Sequence, residues 1–275
     1  MTGRFVHGLR LIWLNVGFYS GLILMTTVSI VFISFPALCW FRFVRGLNKG
    51  AAMRQLVWYY GRAWTKLLAF FVPVKLENCA MPLPKPCIIT PNHQSFFDTY
   101  CFAFMPERDV VFAVRAWPFL IPFYGPYMRL AGYLNTESGN AEELLCQSKE
   151  ILNNGACIGV FPEGTRSPNG KMSRFHSGAF HLAALTGVPI VPVCMEGTGV
   201  FLHRNGFLLR PARIAVKVLD PVYPRDFADS GDEVPLLLRK TVKARLQKAL
   251  DELRSECPDR TLNINTKESS CNAMP

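Results

Sequence analysis

The stretch Cys87-Ile88-Ile89-Thr90-Pro91-Asn92-His93-Gln94-Ser95-Phe96-Phe97-Asp98 decides how this chain is read. Its first four residues are a short apolar run ended by Pro91 and Asn92, the mark of a buried strand leaving a sheet. Ser95 followed three positions later by Asp98 is a helix-start signature. The same punctuation recurs along the chain. Strands are predicted over 74–76, 87–90, 110–114, 157–161, 190–193 and 214–219, and helices over 95–104, 118–130, 141–153, 177–186 and 233–255. Gly155 and Gly187 stand where two of these helices need left-handed caps. Alternation of this kind predicts an α/β fold: a mixed, largely parallel sheet flanked by helices.

Upstream the composition changes. Residues 11–41 carry no charge, a run longer than the roughly 20 residues a helix needs to cross the hydrocarbon core. Asn15, Ser20, Thr26, Ser29 and Pro36 dilute it, so it reads either as one tilted span or as a helix that enters one leaflet and bends near Pro36. Its length and the lack of a small-residue exit argue against a cleaved signal peptide. Residues 51–71 repeat apolar side chains at helical steps (Leu56, Tyr60, Trp64, Leu67, Phe71) beside Arg54, Arg62 and Lys66. That mix suits a helix in the bilayer interface, a helix docked on the domain, or both at once. The organisation expected is therefore a membrane-associated N-terminal helical segment over 1–72, an α/β domain over 73–257 and a polar, disordered tail over 258–275.

Half of the 275 residues are hydrophobic and the formal charge is +10. No acidic residue precedes Glu77, whereas nine Lys and Arg do, all beside apolar runs. This placement suits anionic lipid and excludes a nucleic-acid surface, which needs cations along a polar aromatic face. The nine cysteines are scattered with no Cys-x-x-Cys pair, which excludes a disulfide framework or zinc site and points to a reducing compartment. The α/β domain is expected to face the cytoplasm.

Two constellations carry chemistry. On a regular helix His93 and Asp98 would point about 140° apart and could not pair. If the helix begins between them, at Ser95, Asp98 reaches back from the first turn to the imidazole, fixes its tautomer and leaves the other nitrogen as a general base. Alone, the same residues read equally well as a plain capping box beside an incidental histidine. The second constellation is Phe161-Pro162-Glu163-Gly164-Thr165-Arg166-Ser167. Gly164 lets the backbone approach a ligand, Thr165 and Ser167 offer hydroxyls, Arg166 can hold a phosphate with two bonds, and Glu163 can orient Arg166 or bond a substrate hydroxyl.

Taken together, His-x4-Asp followed about 65 residues later by Phe-Pro-Glu-Gly-Thr-Arg resembles the glycerolipid acyltransferase family, whose best-known members are the 1-acylglycerol-3-phosphate acyltransferases. Val111-Phe112-Ala113-Val114-Arg115 with Pro122-Phe123-Tyr124-Gly125, and Val188-Pro189-Ile190-Val191-Pro192-Val193, resemble two further family blocks. The resemblance spans about residues 75–225. It implies an O-acyltransferase moving a fatty acyl group from acyl-CoA or acyl-carrier protein to a lysophospholipid hydroxyl, with 1-acyl-sn-glycerol 3-phosphate as the expected acceptor. His93 and Asp98 would be catalytic, Glu163, Gly164, Thr165 and Arg166 would meet the acceptor phosphate with Arg115 as a second cation, and no metal or cofactor is implied. Backbone N–H groups at the helix start are the candidate oxyanion donors, and Trp117 to Leu130 the candidate acyl path. Many members carry Lys where this chain has His176, so either Lys171 or Arg174 replaces that charge or the acceptor headgroup differs. The rival readings are another lysolipid acceptor, a non-catalytic lipid-binding membrane protein, and a hydrolase using the same pair on water.

Overall fold

The computed structural model describes residues 2–122 and 124–256, with side chains from Gly8 onward; the tail expected over 258–275 lies outside the described residues. The strands are β1 (Val74–Glu77), β2 (Ile88–Pro91), β3 (Val110–Val114), β4 (Leu134–Asn135), β5 (Cys157–Val160), β6 (Ile190–Glu196) and β7 (Ile214–Val218). They form one sheet in the order β1-β7-β6-β2-β5-β3-β4. Neighbours are parallel except β6 and β7, the mixed, largely parallel arrangement expected. Only β4, two residues long, escaped the sequence, being too short to show a period.

Side-chain alternation divides the core into two layers. Ile89, Val110, Phe112, Val191, Val193 and Met195 face one cluster. Their sequence neighbours Ile88, Val111, Ile190 and Cys194 face the other. The second layer is closed by α6 (Ala141–Asn153), α7 (Gly178–Thr186) and α9 (Val234–Glu256), through Leu152, Phe180, Leu238, Val242, Leu246 and Leu250. Gly187 caps α7 with φ 71°, the left-handed turn expected there.

The first layer is closed by the N-terminal helices, α1 (Thr2–Val28) and α3 (Lys49–Phe71), with α2 (Ser34–Cys39) between them. Phe18 is fully buried and makes edge or tilted ring contacts with Trp64, Phe71, Phe97 and Phe201. One inner face of α1 thus belongs to the same core as the sheet. The rest of Gly8–Val44 is a continuous helical segment long and apolar enough to cross a membrane, with Ile12, Trp13, Val16, Ile23 and Leu24 exposed. It bears π turns at Ser29–Ile33 and Trp40–Val44, either side of α2. Pro36 has no N–H and its ring crowds the carbonyl of Phe32, so the helix loosens there rather than ending. Two cations of α3 are engaged by protein, in keeping with a helix docked on the domain. Arg54 pairs with Asp109 and donates to Ala131 O, and Arg62 donates to Ala103 O at 3.2 Å.

The helix expected over 118–130 is divided into a 3-10 turn, Trp117–Leu120, and α5 (Tyr124–Leu130). Pro122, between them, removes an N–H group that would join them, whereas Pro118 sits in the first turn of the 3-10 segment. Gly125 makes the junction possible, because a Cβ there would lie 2.1 Å from Phe119 O.

Candidate active site

Because β2 and β5 are adjacent and parallel, the loops that leave them emerge side by side at the carboxyl edge of the sheet. That alone brings together two motifs about 65 residues apart. Two backbone-anchored bonds then lock them and a third braces Glu163 from its own loop. His93 N–H donates to Glu163 Oε1 at 2.8 Å, Ser173 N–H donates to Glu163 Oε2 at 2.7 Å, and Ser167 N–H donates to His93 O at 2.8 Å. Asn92 fixes the other side of the loop by exchanging bonds with Met195 of β6, donating at 2.8 Å and accepting at 2.7 Å.

The helix starts later than expected. The short α4 (Asp98–Cys101) begins at Asp98, and Phe96 and Phe97 form a turn before it, closed by Asp98 N–H donating to Ser95 O. The back-reach of the carboxylate is nevertheless present. Asp98 is fully buried, and its Oδ2 accepts from Gln94 N–H at 2.6 Å, from Ser95 N–H at 2.8 Å and from His93 Nδ1 at 2.8 Å. An oxygen that two backbone N–H groups already address is an acceptor, so Nδ1 carries the proton and Nε2 keeps its lone pair. The imidazole is stacked on Phe161, ring centroids 4.0 Å apart, and Nε2 has no protein partner among the described residues. This is the geometry of an oriented general base.

The same bonds narrow the choice of oxyanion donors. The N–H groups of His93, Gln94 and Ser95 are all committed to carboxylates, so they are not available to an oxyanion. The N–H groups of Thr165 and Arg166 donate to no acceptor among the described residues. Glu163 spends one bond from each carboxylate oxygen on these backbone donors, and no bond from it to Arg166 is present among the described residues. Burial raises its carboxyl above the ordinary range, outweighing those two bonds.

A cavity of about 1260 Å³ opens on this edge. His93, Gly164, Thr165, Arg166, His176 and Arg204 form one part of its wall. Thr26 of α1, Ile30 of the π turn that follows it, Tyr60 of α3, and Ile121, Tyr124 and Met128 from the 117–130 segment form another. Tyr100 and Tyr124 satisfy each other's hydroxyls inside this apolar space. Gly164 has φ 67°, a left-handed backbone that favours glycine, and a Cβ there would press on the His176 ring at 3.0 Å.

The Arg166 guanidinium has no acceptor among the described residues. Burial and the neighbouring positive charge of Arg204 both lower its pKa. Arg204 donates to Arg166 O at 2.8 Å. Two guanidiniums thus lie near one another; the Asp98 carboxylate acts on Arg166 only at a distance, and neither arginine forms an ion pair among the described residues, which leaves them able to meet an anion. Arg115 also borders the cavity, but it is about half exposed and bound to Glu137 at 2.6 Å. Lys171 and Arg174 do not line the cavity. Arg204 was invisible in the sequence because it lies 38 residues beyond Arg166 in a loop with no motif.

The pattern of the family described as Acyltransferase matches residues 74–196. Over 173 residues the chain is 30% identical to the 1-acyl-sn-glycerol-3-phosphate acyltransferase of Salmonella typhimurium, covering 62% of this chain and 69% of that protein. The chain belongs to the 1-acyl-sn-glycerol-3-phosphate acyltransferase family. It is also 36% identical over 157 residues to a 1-acyl-sn-glycerol-3-phosphate acyltransferase of Chlamydomonas reinhardtii, covering 56% of this chain and 47% of that protein. The solved structure of the 1-acyl-sn-glycerophosphate (LPA) acyltransferase PlsC from Thermotoga maritima matches at 29% identity with a TM-score of 0.70, covering 88% of this chain and 96% of that one. The chain spans about half the length of the first curated relatives it matches (47%, 41% and 49%). His176 is the position where the resemblance led to an expected lysine. It stands two residues before α7, with its N–H on Pro162 O at 2.8 Å and its ring over Gly164. The second cation near Arg166 is Arg204.

Proposed function

We propose that this chain transfers a fatty acyl group from acyl-CoA or acyl-carrier protein to the free hydroxyl of 1-acyl-sn-glycerol 3-phosphate, giving phosphatidic acid. The observation that carries the reading is the Asp98-oriented His93 on the wall of an apolar cavity that also holds Arg166 and Arg204. His93 Nε2 takes the acceptor's hydroxyl proton as that oxygen bonds to the thioester carbonyl carbon. Asp98 stabilises the imidazolium that forms. The carbonyl oxygen becomes an oxyanion, for which the free N–H groups of Thr165 and Arg166 are the available donors. Collapse breaks the C–S bond, and the thiolate leaves with the proton from His93. Arg166 and Arg204 hold the acceptor phosphate, and the wall built from α1, α3 and the 117–130 segment takes acyl chain. The exposed apolar side of Gly8–Val44 lies in the membrane, and the sheet domain faces the cytoplasm.

Thiol release on adding acyl thioester to purified protein, across a panel of lysolipid acceptors, tests this. Release that depends on 1-acyl-sn-glycerol 3-phosphate is expected. Binding without release would leave a lipid-binding protein, and release without acceptor would leave a hydrolase. In the same assay Arg166→Ala should raise the acceptor KM by about 10- to 100-fold with little change in kcat, as loss of charge-assisted phosphate bonds predicts. Arg204→Ala should raise it by roughly tenfold, and Arg115→Ala by less than either. The reverse ranking would return the second cation to Arg115.

A further inference from the structure

A small loop outside every motif joins the cavity to α1. Leu202 and Leu209 form an antiparallel bridge, and Arg210 N–H donates to Phe201 O at 2.9 Å, so residues 203–208 make a closed hairpin loop. Arg204 on its near limb lines the cavity. The far limb is held to α1. Asn15 donates to Leu209 O at 3.0 Å and accepts from Leu209 N–H at 2.8 Å, and Tyr19 OH donates to Phe207 O. These two side chains of α1, Asn15 inside its charge-free run, are therefore the ones that grip the loop. At the tip Phe207 is 89% exposed and Leu208 60% exposed, a solvent-facing apolar pair with no contact among the described core clusters. Ile12, Trp13 and Val16 are exposed on the same part of α1. From Thr198 to Leu219 there is no acidic residue, and Arg204, Arg210 and Arg213 all fall there.

We propose that the hairpin tip Phe207–Leu208 is a second membrane contact, entering the leaflet that takes α1 while Arg210 and Arg213 meet anionic headgroups. The inference rests on the membrane reading of α1 given above. Two exposed residues are far too small for a stable protein interface. Aromatic and aliphatic tips flanked by cations are what an anionic bilayer surface retains. The consequence is functional. With its tip in lipid, the loop sets Arg204 at the headgroup plane, where a membrane-borne acceptor presents its phosphate.

The test uses full-length protein bound to phosphatidylcholine vesicles containing phosphatidylglycerol, with or without lipids brominated along the acyl chain. The native emission that Trp13→Phe removes reports α1, and the emission that Phe207→Trp adds reports the tip. Asn153→Trp, exposed at the opposite edge of the sheet, is the control. Quenching of both the α1 and the tip signals, with the control unquenched, supports the proposal. Quenching of the α1 signal alone overturns the loop contact and leaves the membrane reading of α1 standing. Quenching of neither overturns both. A blue shift of the tip signal that brominated lipid leaves unquenched assigns the tip to a protein contact and overturns the proposal. In kinetics, Phe207→Asp with Leu208→Asp should raise the apparent KM for vesicle-borne acceptor by about tenfold. With acceptor in detergent micelles kcat should be unchanged; a loss there equal to that on vesicles overturns it too.

Discussion

His93→Ala lowers turnover by about 10³-fold or more while the protein stays folded, within the range expected for removing a general base. The two halves of that result have separate causes. Nε2 is the lone pair on the cavity wall with no protein partner, so its loss leaves the acceptor hydroxyl without a base. The fold survives because Asp98 keeps its bonds from Gln94 and Ser95, and Glu163 still holds the backbone N–H of residue 93. The remaining loss, chiefly the stacking on Phe161, costs about 1 kcal/mol. Steady-state kinetics with a thermal melt on the same preparation checks both. A folded variant that retains substantial acylation would remove His93 from the mechanism.

Glu163→Ala is the larger structural lesion, with a stability loss of about 3 kcal/mol, since it strips two charge-assisted bonds and leaves two N–H groups unpartnered. Its kcat should fall because the His93 backbone is released from the second motif, and its acceptor KM should move less than in Arg166→Ala. A raised KM with unchanged stability would instead return Glu163 to the acceptor. The titration of Glu163 offers an independent check. Burial raises its folded pKa, so the folded state holds this proton more tightly than the unfolded state does. The associated stability is full below the unfolded carboxylate pKa and is lost as pH rises through the folded one. Denaturant midpoints should therefore show the parent losing its advantage over Glu163→Gln as pH rises upward from the ordinary carboxylate range. An advantage that grows with pH would mean that the two N–H bonds outweigh burial.

Much of the architecture was legible locally. Strands such as Val110–Val114 and helices such as Ala141–Asn153 have the predicted bounds, because alternation, helical spacing and capping residues act within a few positions. Boundaries failed where proline or a turn competed. α4 begins at Asp98 because Phe96 and Phe97 turn first, and the 117–130 segment breaks at its prolines. At the site, the pairing of His93 with Asp98 was readable as a condition on where the chain turns. The commitment of Glu163 to Ser173 N–H was not, since a backbone donor leaves no trace in residue identity.

Residue order alone determined that an α/β sheet carries a His-x4-Asp loop and a Phe-Pro-Glu-Gly-Thr-Arg loop at its carboxyl edge, and that an apolar segment precedes it. Those features follow from periodicity, turn chemistry and charge, which are short-range. Only the tertiary structure decided that Glu163 holds the His93 backbone, that Arg204 joins Arg166, that Arg115 is drawn to Glu137, and that Asn15 and Tyr19 hold a hairpin loop against α1. Each is a contact between segments far apart in the chain. Strand order and helix docking set such contacts, and no local pattern encodes which partner a charged or polar side chain will find.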